Sequence, residues 1–485
     1  MQIQSRLSSF LDTRTVDRTG RIDFGEIVYA HLSDRLKGFG QEHLLQFWHE
    51  LSVNEQESLA AEILSVDFEQ IRQLHQEFLS PEAVEAIDIS QVEEPLSVKP
   101  GESTRFSQQA ARAVGEAALQ TGLVGVVIVA GGQGSRLGFE HPKGMYPIGP
   151  VSNATLFQIL IEKIRATSDQ NGVRIPLYLM TSPATHEETV EFLASNDRFG
   201  LSEEDLHVFC QGTMPAVDMH SGRLVLKEKN GLFFSPNGHG EMLEALDTYG
   251  CLADMQQRGV EHLFYCQIDN ALVELIRPEF IGYHILSNSE LTTQVIRKQS
   301  PGEKVGNVVS VDGKVQMIEY SDLPEELATA RNEEGSLKVW AGNIAVHAFS
   351  VSFLERVASQ ADALPFHFAQ KKVPYFDESG STVNPTEPNA VKFERFIFDL
   401  MPLAQRALVV EAERESVYAP LKNAEGTESA QWVREQISRL NGEWLAQAGV
   451  NVEPGTPVEI SPLYANSPEE LTSRKPGVSN NSYYA

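Results

Sequence analysis

The chain reads as an α/β protein built on a mostly parallel central sheet, and three stretches of the sequence predict it. Residues 123–130 form a continuous apolar run rich in Val and Ile, the length and composition of a fully buried strand. From there to about residue 268, strand and helix signals alternate, the pattern of a parallel sheet with helices on both faces. Residues 291–349 turn β-rich, with Asp312-Gly313 as a hairpin turn between NVVSV and KVQMIEY.

The elements follow in order. Residues 1–39 are polar, with Ile3, Leu7, Phe10 and Leu11 at the spacing of a short amphipathic helix. Residues 40–79 read as helical, with one apolar stripe of Leu44, Leu45, Trp48 and Leu51. Ser52 and Glu55 form a capping box for the helix that buries Leu59, Ile63 and Leu64. Residues 80–105 have linker composition, with Pro81, Pro95, Pro100 and Gly101. A helix over 106–121 leads into the buried strand. Helices follow over 155–165, 187–194 and 240–258, and strands over 177–181, 208–210 and 262–268. A strand over 338–349 is expected to break at Gly342-Asn343. A helix from about 386 and another over 429–448 follow, the latter burying Trp432, Ile437, Leu440 and Trp444. The last twenty residues are polar and read as loose. These signals divide the chain into an N-terminal helical region and linker (1–105), a central α/β domain (106–385) and a small C-terminal α+β domain (386–485).

Composition limits the function. The 485 residues carry 39 basic and 67 acidic side chains, a net charge of −28. That balance argues against nucleic acid or an anionic membrane as a general partner. Any phosphate site must gather its few cations locally. Cys210, Cys251 and Cys266 are odd in number and lack C-x-x-C spacing, which points to buried thiols in a reducing compartment. With no signal-peptide pattern and no apolar run long enough to span a bilayer, a cytoplasmic protein is expected.

The chemistry concentrates after the buried strand, where Gly131, Gly132, Gly134 and Gly138 surround Arg136, and Lys143 follows. Glycines bring backbone N–H groups close to an anion, and a guanidinium fork suits phosphate oxygens. The loop is neither common cradle. The string G-x-x-x-x-G-K-[ST] is absent, and Leu137 occupies the third glycine of G-x-G-x-x-G. In parallel sheets ligands sit at the carboxyl ends of the strands. The glycine loop, Gln211 and Asp269 all follow such ends, so they can converge.

AGGQGSRLG followed by PKGM resembles the nucleotide loop of the eukaryotic-type UDP-sugar pyrophosphorylases, nearest to the N-acetylglucosamine branch. The likeness extends through FCQGTMPAV, SPNGHGEM, YCQIDN, MIEYSD, WAGNIAVH, PNAVKFERFIFD and PLKN, from about residue 40 to 423. It implies a Rossmann-like nucleotidyltransferase fold of the GT-A type, and a reaction of UTP with a sugar 1-phosphate to give a UDP-sugar and pyrophosphate. It implies that Ala130, Gly131, Gly132 and Gly134 contact the nucleotide through backbone, and that Arg136, Lys143 and Lys422 neutralise phosphate charge. It implies further that Gln211 meets the uracil, that Gly238 lets backbone approach the base, and that Asp269 holds Mg²⁺ at the nucleotide. By the same resemblance Lys392 contacts phosphate, while His239, Asn270, Glu319, Tyr320 and Asn343 face the sugar. The acetylglucosamine enzymes usually carry Asn where this chain has His239, which keeps a UDP-glucose or broad-specificity enzyme as the alternative. A catalytically silent nucleotide-sugar-binding regulator is the second. A monomer or homodimer is expected.

Overall fold

Val and Ile pack well on a pleated surface covered on both faces, and the apolar run forms the strand Val124–Val129, with five of its six residues buried. The computed structural model describes residues 24–80, 91–99, 101, 106–360, 363–453, 455–474 and 483–484. The amphipathic pattern at residues 3–11, and Pro81 and Pro100 of the linker, lie outside them.

The central sheet has the spatial order Ser97–Val98, Ala407–Glu411, Leu291–Arg297, Ala341–Ser350, His262–Gln267, Val124–Val129, Leu177–Thr181, Leu206–Cys210. Along this path only Ala341–Ser350 runs antiparallel to its neighbours; the other pairings are parallel. The strands that end near Ala130, Gln211 and Asp269 therefore point the same way. The expected hairpin is present as Gly306–Val311 and Lys314–Ile318, with Asp312 at φ 51° and Gly313 at φ 75° in its turn.

The helices that cover the sheet begin where their caps predict. Ser107 accepts from the Ala110 N–H at the start of Gln108–Gln120, and Thr155 accepts from the Gln158 N–H at the start of Leu156–Asn171. Helices Gln108–Gln120 and Pro278–Leu286 touch backbone to backbone. A Cβ at Gly115 would lie 1.8 Å from the Pro278 oxygen, and one at Gly282 would lie 1.7 Å from that of Ala111.

Five expectations are corrected. The helix read over 240–258 is two, Met242–Thr248 and Cys251–Arg258, because Gly250 takes a left-handed φ of 71°. No helix begins at 386. Ala390–Glu394 is a strand burying Ala390, Val391 and Phe393, followed by the 3₁₀ segment Ile397–Leu403, which contains Pro402. The stripe at residues 44–51 lies on the 3₁₀ turns Glu42–Leu45 and Trp48–Glu50, ahead of the capped helix Val53–Ser65. Part of the linker supplies Val92–Glu93 and Ser97–Val98, which pair with sheet strands. The polar C-terminus contains the helix Pro468–Arg474, and Tyr483–Tyr484 pairs with Glu459–Ile460.

The chain folds as two compact units, neither continuous in sequence, in place of three consecutive stretches. The larger takes in the described residues of Ile87–Gly212, His239–Pro365 and Ile397–Ala485 and holds the whole central sheet. The smaller takes in those of Met1–Ala86, with Thr213–Gly238 and Phe366–Phe396. Its helices Val53–Ser65 and Phe68–Leu79 share a core with Val217, Leu224, Val391 and Phe393.

Candidate functional site

The glycine loop is a small hairpin folded back on itself. The Ala130 N–H donates to the Met180 carbonyl at 2.7 Å, extending the strand ladder by one residue. The chain then turns through Ser135–Leu137, and the Lys143 N–H returns to the Gly132 carbonyl at 3.0 Å. The Gly134 N–H donates to the His141 carbonyl at 2.9 Å, and an ion pair from His141 to Glu188 ties the returning limb to helix His186–Ser195. A Cβ at Gly131 would lie 2.9 Å from Nε2 of Gln211, so the buried Gln211 amide lies directly against the loop. Gly134 is needed too, since its Cβ would meet the Phe139 oxygen at 2.7 Å, whereas a Cβ at Gly132 would meet nothing within 4 Å. Arg136 is exposed and Lys143 half-buried, and among the described residues neither has an ion-pair partner.

A second cluster closes around a cavity of about 170 Å³. His239, Asp269, Asn270, Glu319, Tyr320, Asn343 and Lys422 all line it, so seven of the residues expected to face substrate meet there. Asp269 stands two residues past the end of His262–Gln267. Glu319 and Tyr320 follow the second hairpin strand. Asn343 sits at a bulge in Ala341–Ser350, where the register against Gln294 and Val295 shifts and Ala345 takes φ 55°. Its Oδ1 accepts from the Ala345 N–H at 2.9 Å, and its Nδ2 lies 3.2 Å from the Met317 sulfur. The Ile397 N–H donates to His239 Nδ1 at 3.1 Å, which assigns the imidazole proton to Nε2, and Phe398 packs edge-on at 5.7 Å.

Lys422 reaches this cavity on a strap docked beside Asp269. The Leu421 N–H donates to the Asp269 carbonyl at 2.8 Å, and Lys422 Nζ donates to the Tyr418 hydroxyl at 3.0 Å. Burial pulls the ammonium down, but the Tyr418 oxygen, Asp269 and Glu428 outweigh it and hold Lys422 above the ordinary lysine range. Lys422 is a fixed cation.

Asn270 lines the cavity with both ends of its amide held by backbone. It is buried, its Nδ2 donates to the Val417 carbonyl at 2.8 Å, and its Oδ1 accepts from the Ala419 N–H at 3.0 Å. Its amide is a staple for the strap that carries Lys422. Gly238 and Lys392 belong to the smaller unit. At φ 90°, Gly238 lies so close to Arg395 that a Cβ would sit 2.3 Å from its carbonyl oxygen. Lys392 Nζ stands 5.0 Å from the Phe233 ring centroid, and burial, with Lys371 adding, lowers its pKa. The structure adds Lys304, His347 and Tyr418 to the cavity wall. Tyr418 stands in the string YAPLKN, but only the fold turns its hydroxyl onto Lys422.

Among the described residues no group of three or more His, Cys, Asp or Glu is arranged to hold a metal. Asp269 alone cannot cage an ion. A single carboxylate does fit a hard divalent cation held mainly by phosphate oxygens and water.

The sequence model for UTP–glucose-1-phosphate uridylyltransferase matches residues 68–443. The UDP-N-acetylglucosamine pyrophosphorylase of Saccharomyces cerevisiae is 37% identical, covering 75% of this chain and 78% of its own length. The human UDP-N-acetylhexosamine pyrophosphorylase-like protein 1 is 35% identical, covering 90% of this chain and 93% of its own. A crystal structure described as a putative UDP-N-acetylglucosamine pyrophosphorylase from Entamoeba histolytica superposes with a TM-score of 0.72 at 32% identity, covering 79% of this chain and 96% of its own. That of the uridine diphosphate N-acetylglucosamine pyrophosphorylase from Trypanosoma brucei gives 0.78 at 26%, covering 92% and 94%.

Proposed function

The chain belongs to the UTP–glucose-1-phosphate uridylyltransferase family, and from that premise we propose that it joins UTP to N-acetylglucosamine 1-phosphate, releasing pyrophosphate. The observation that carries the reading is the meeting of His239, Asp269, Glu319, Asn343 and Lys422 around one cavity. The choice of sugar rests on relatives named for N-acetylglucosamine at 37% and 34% identity over most of the chain.

The reaction exchanges one phosphoanhydride for another. An oxygen of the sugar phosphate attacks the α-phosphorus of UTP, the bond to the β-phosphate oxygen breaks, and pyrophosphate departs with the electron pair. The nucleophile is already anionic, so no protein base is needed. Catalysis is then positioning and charge neutralisation.

Each group has a task in this scheme. Gln211, with a donor and an acceptor on one amide, matches the imide edge of uracil. Ala130, Gly131, Gly132 and Gly134 present backbone to the nucleotide, and the open side of Gly132 leaves room for that approach. Arg136 and Lys143, unpaired among the described residues, take charge from the β- and γ-phosphates. Lys422 holds the sugar phosphate or α-phosphate. Asp269 would hold Mg²⁺, and the ion would offset phosphate charge. Asn343, Glu319, Tyr320 and the Nε2–H of His239 orient the sugar. Asn270 positions the strap.

Three free cysteines fit a cytoplasmic setting. Pyrophosphate release from UTP is the test. It should require both a sugar 1-phosphate and a divalent cation, with a higher kcat/KM for the N-acetylated sugar than for glucose 1-phosphate. Nucleotide-sugar binding without release would refute the enzyme. Equal kcat/KM for the two sugars would refute the acetamido preference.

A further inference from the structure

Behind the turn that follows Asp269 lies a lysine with no part in the scheme above. Lys163, on helix Leu156–Asn171, donates from Nζ to the carbonyls of Ala271 and Val273, both at 2.9 Å. Asn270, between that turn and Asp269, holds the strap through Val417 and Ala419, and its Oδ1 also accepts from the Leu272 N–H at 3.3 Å. The strap in turn donates from Leu421 to the Asp269 carbonyl and ends on Lys422. One hydrogen-bonded chain therefore runs from Lys163 through the 271–273 turn and Asn270 to Lys422.

We propose that Lys163 is a positioning residue of the uridylyl transfer, clamping the 271–273 turn so that Asp269 and Lys422 stay in register across the phosphates. This rests on the reaction proposed above. Two physical points support it. Both carbonyls belong to an irregular turn that no sheet or helix ladder satisfies, so the ammonium fixes backbone that would otherwise be held loosely. Lys163 is half-buried, and partly desolvating an ammonium there is also a poor route to stability, because an apolar chain of similar length fills the space without that cost. Burial draws Lys163 down to about 8, with Glu274, which pairs with Arg277, and Cys266 as the ionisable groups opposing that shift.

The test compares Lys163→Met, Lys163→Arg and wild type, alone and in a Lys422→Ala background. Lys163→Met should lower kcat by about tenfold or more, since small misplacements near reacting phosphates are amplified, with KM for UTP within about twofold. Lys163→Arg, which keeps donors for both carbonyls, should recover part of that loss. In the Lys422→Ala background, Lys163→Met should add little, because both act through one strap. An unchanged kcat in Lys163→Met, or a fully additive loss in the double variant, overturns the proposal. Amide hydrogen exchange reads the clamp without using turnover. The Leu421 and Ala419 amides should lose protection in Lys163→Met, by about tenfold, and unchanged protection overturns the proposal even if wild type proves inactive. An inactive wild type with the exchange effect present would instead sink the uridylyltransferase reading alone.

Discussion

The glycine loop and the cavity near Asp269 lie in the same unit but are built in opposite ways. The loop is tied down by backbone, and its cations, Arg136 and Lys143, have no carboxylate partner among the described residues. In the cavity the polar side chains are already engaged: Lys422 with Tyr418 and Glu428, Asn343 with the Ala345 N–H, His239 with the Ile397 N–H. In a chain with 67 acidic residues, leaving two cations unpaired fits a site whose counter-charge arrives with the substrate. The cavity instead fits a preorganised pocket that gains little by rearranging. Mutations should therefore separate activity from stability in the loop and couple them in the cavity.

The largest effect is expected from the loop. Arg136→Ala and Lys143→Ala should each lower turnover by about a hundredfold or more, near 3 kcal/mol of transition-state stabilisation. Their unfolding free energies should stay within about 0.5 kcal/mol of wild type, as for other positions away from the core that hold no partner side chain. Steady-state rates beside denaturant melts check both halves, and an equal loss of stability would erase the contrast. Lys422→Met should also cut turnover, by at least about tenfold. Unlike the loop variants it should lower stability measurably, because Asp269 and Glu428 lose their cation.

A smaller effect is expected at the bulge. Asn343→Ala removes the acceptor for the Ala345 N–H and should cost about 1 kcal/mol, while reducing the preference for the N-acetylated sugar over glucose 1-phosphate. The ratio of kcat/KM values reads that directly. An unchanged ratio would make Asn343 a purely structural residue of the bulge.

A further effect concerns pH. Burial holds His347, on the cavity wall, down at about 3, below its ordinary 6.5. The unfolded chain takes up that proton as pH falls through 6.5, while the native state does not until about 3. The contribution of His347 to stability is thus present above 6.5 and lost on acidification. Between pH 7 and 5, His347→Asn should lose less stability than wild type, and parallel curves would contradict this.

The two regions also differ in how much the sequence reveals. Gly131, Gly134, Gln211 and Asp269 follow strand ends, and strand ends can be read from local apolar runs and the residues that stop them. The strand at Ala390–Glu394 was legible in principle, since Val391 and Phe393 alternate with charged residues. The surrounding apolar text reads equally as helix at that length. The break at Gly250 depends on a left-handed turn that a helical apolar pattern does not announce. The staple role of Asn270 and the place of Tyr418 depend on a strap nearly 150 residues away docking beside Asp269, the kind of long-range pairing no local pattern encodes. The resemblance to known enzymes marked Asn270 as functional, but its hydrogen bonds say how.

The account stands or falls on where the triphosphate lies. The most direct measurement is a structure of this chain with UTP bound. The expected result has the β- and γ-phosphates within hydrogen-bonding distance of Arg136 and Lys143, and the uracil against Gln211. A triphosphate remote from the 131–143 loop, with both cations facing solvent, would contradict it.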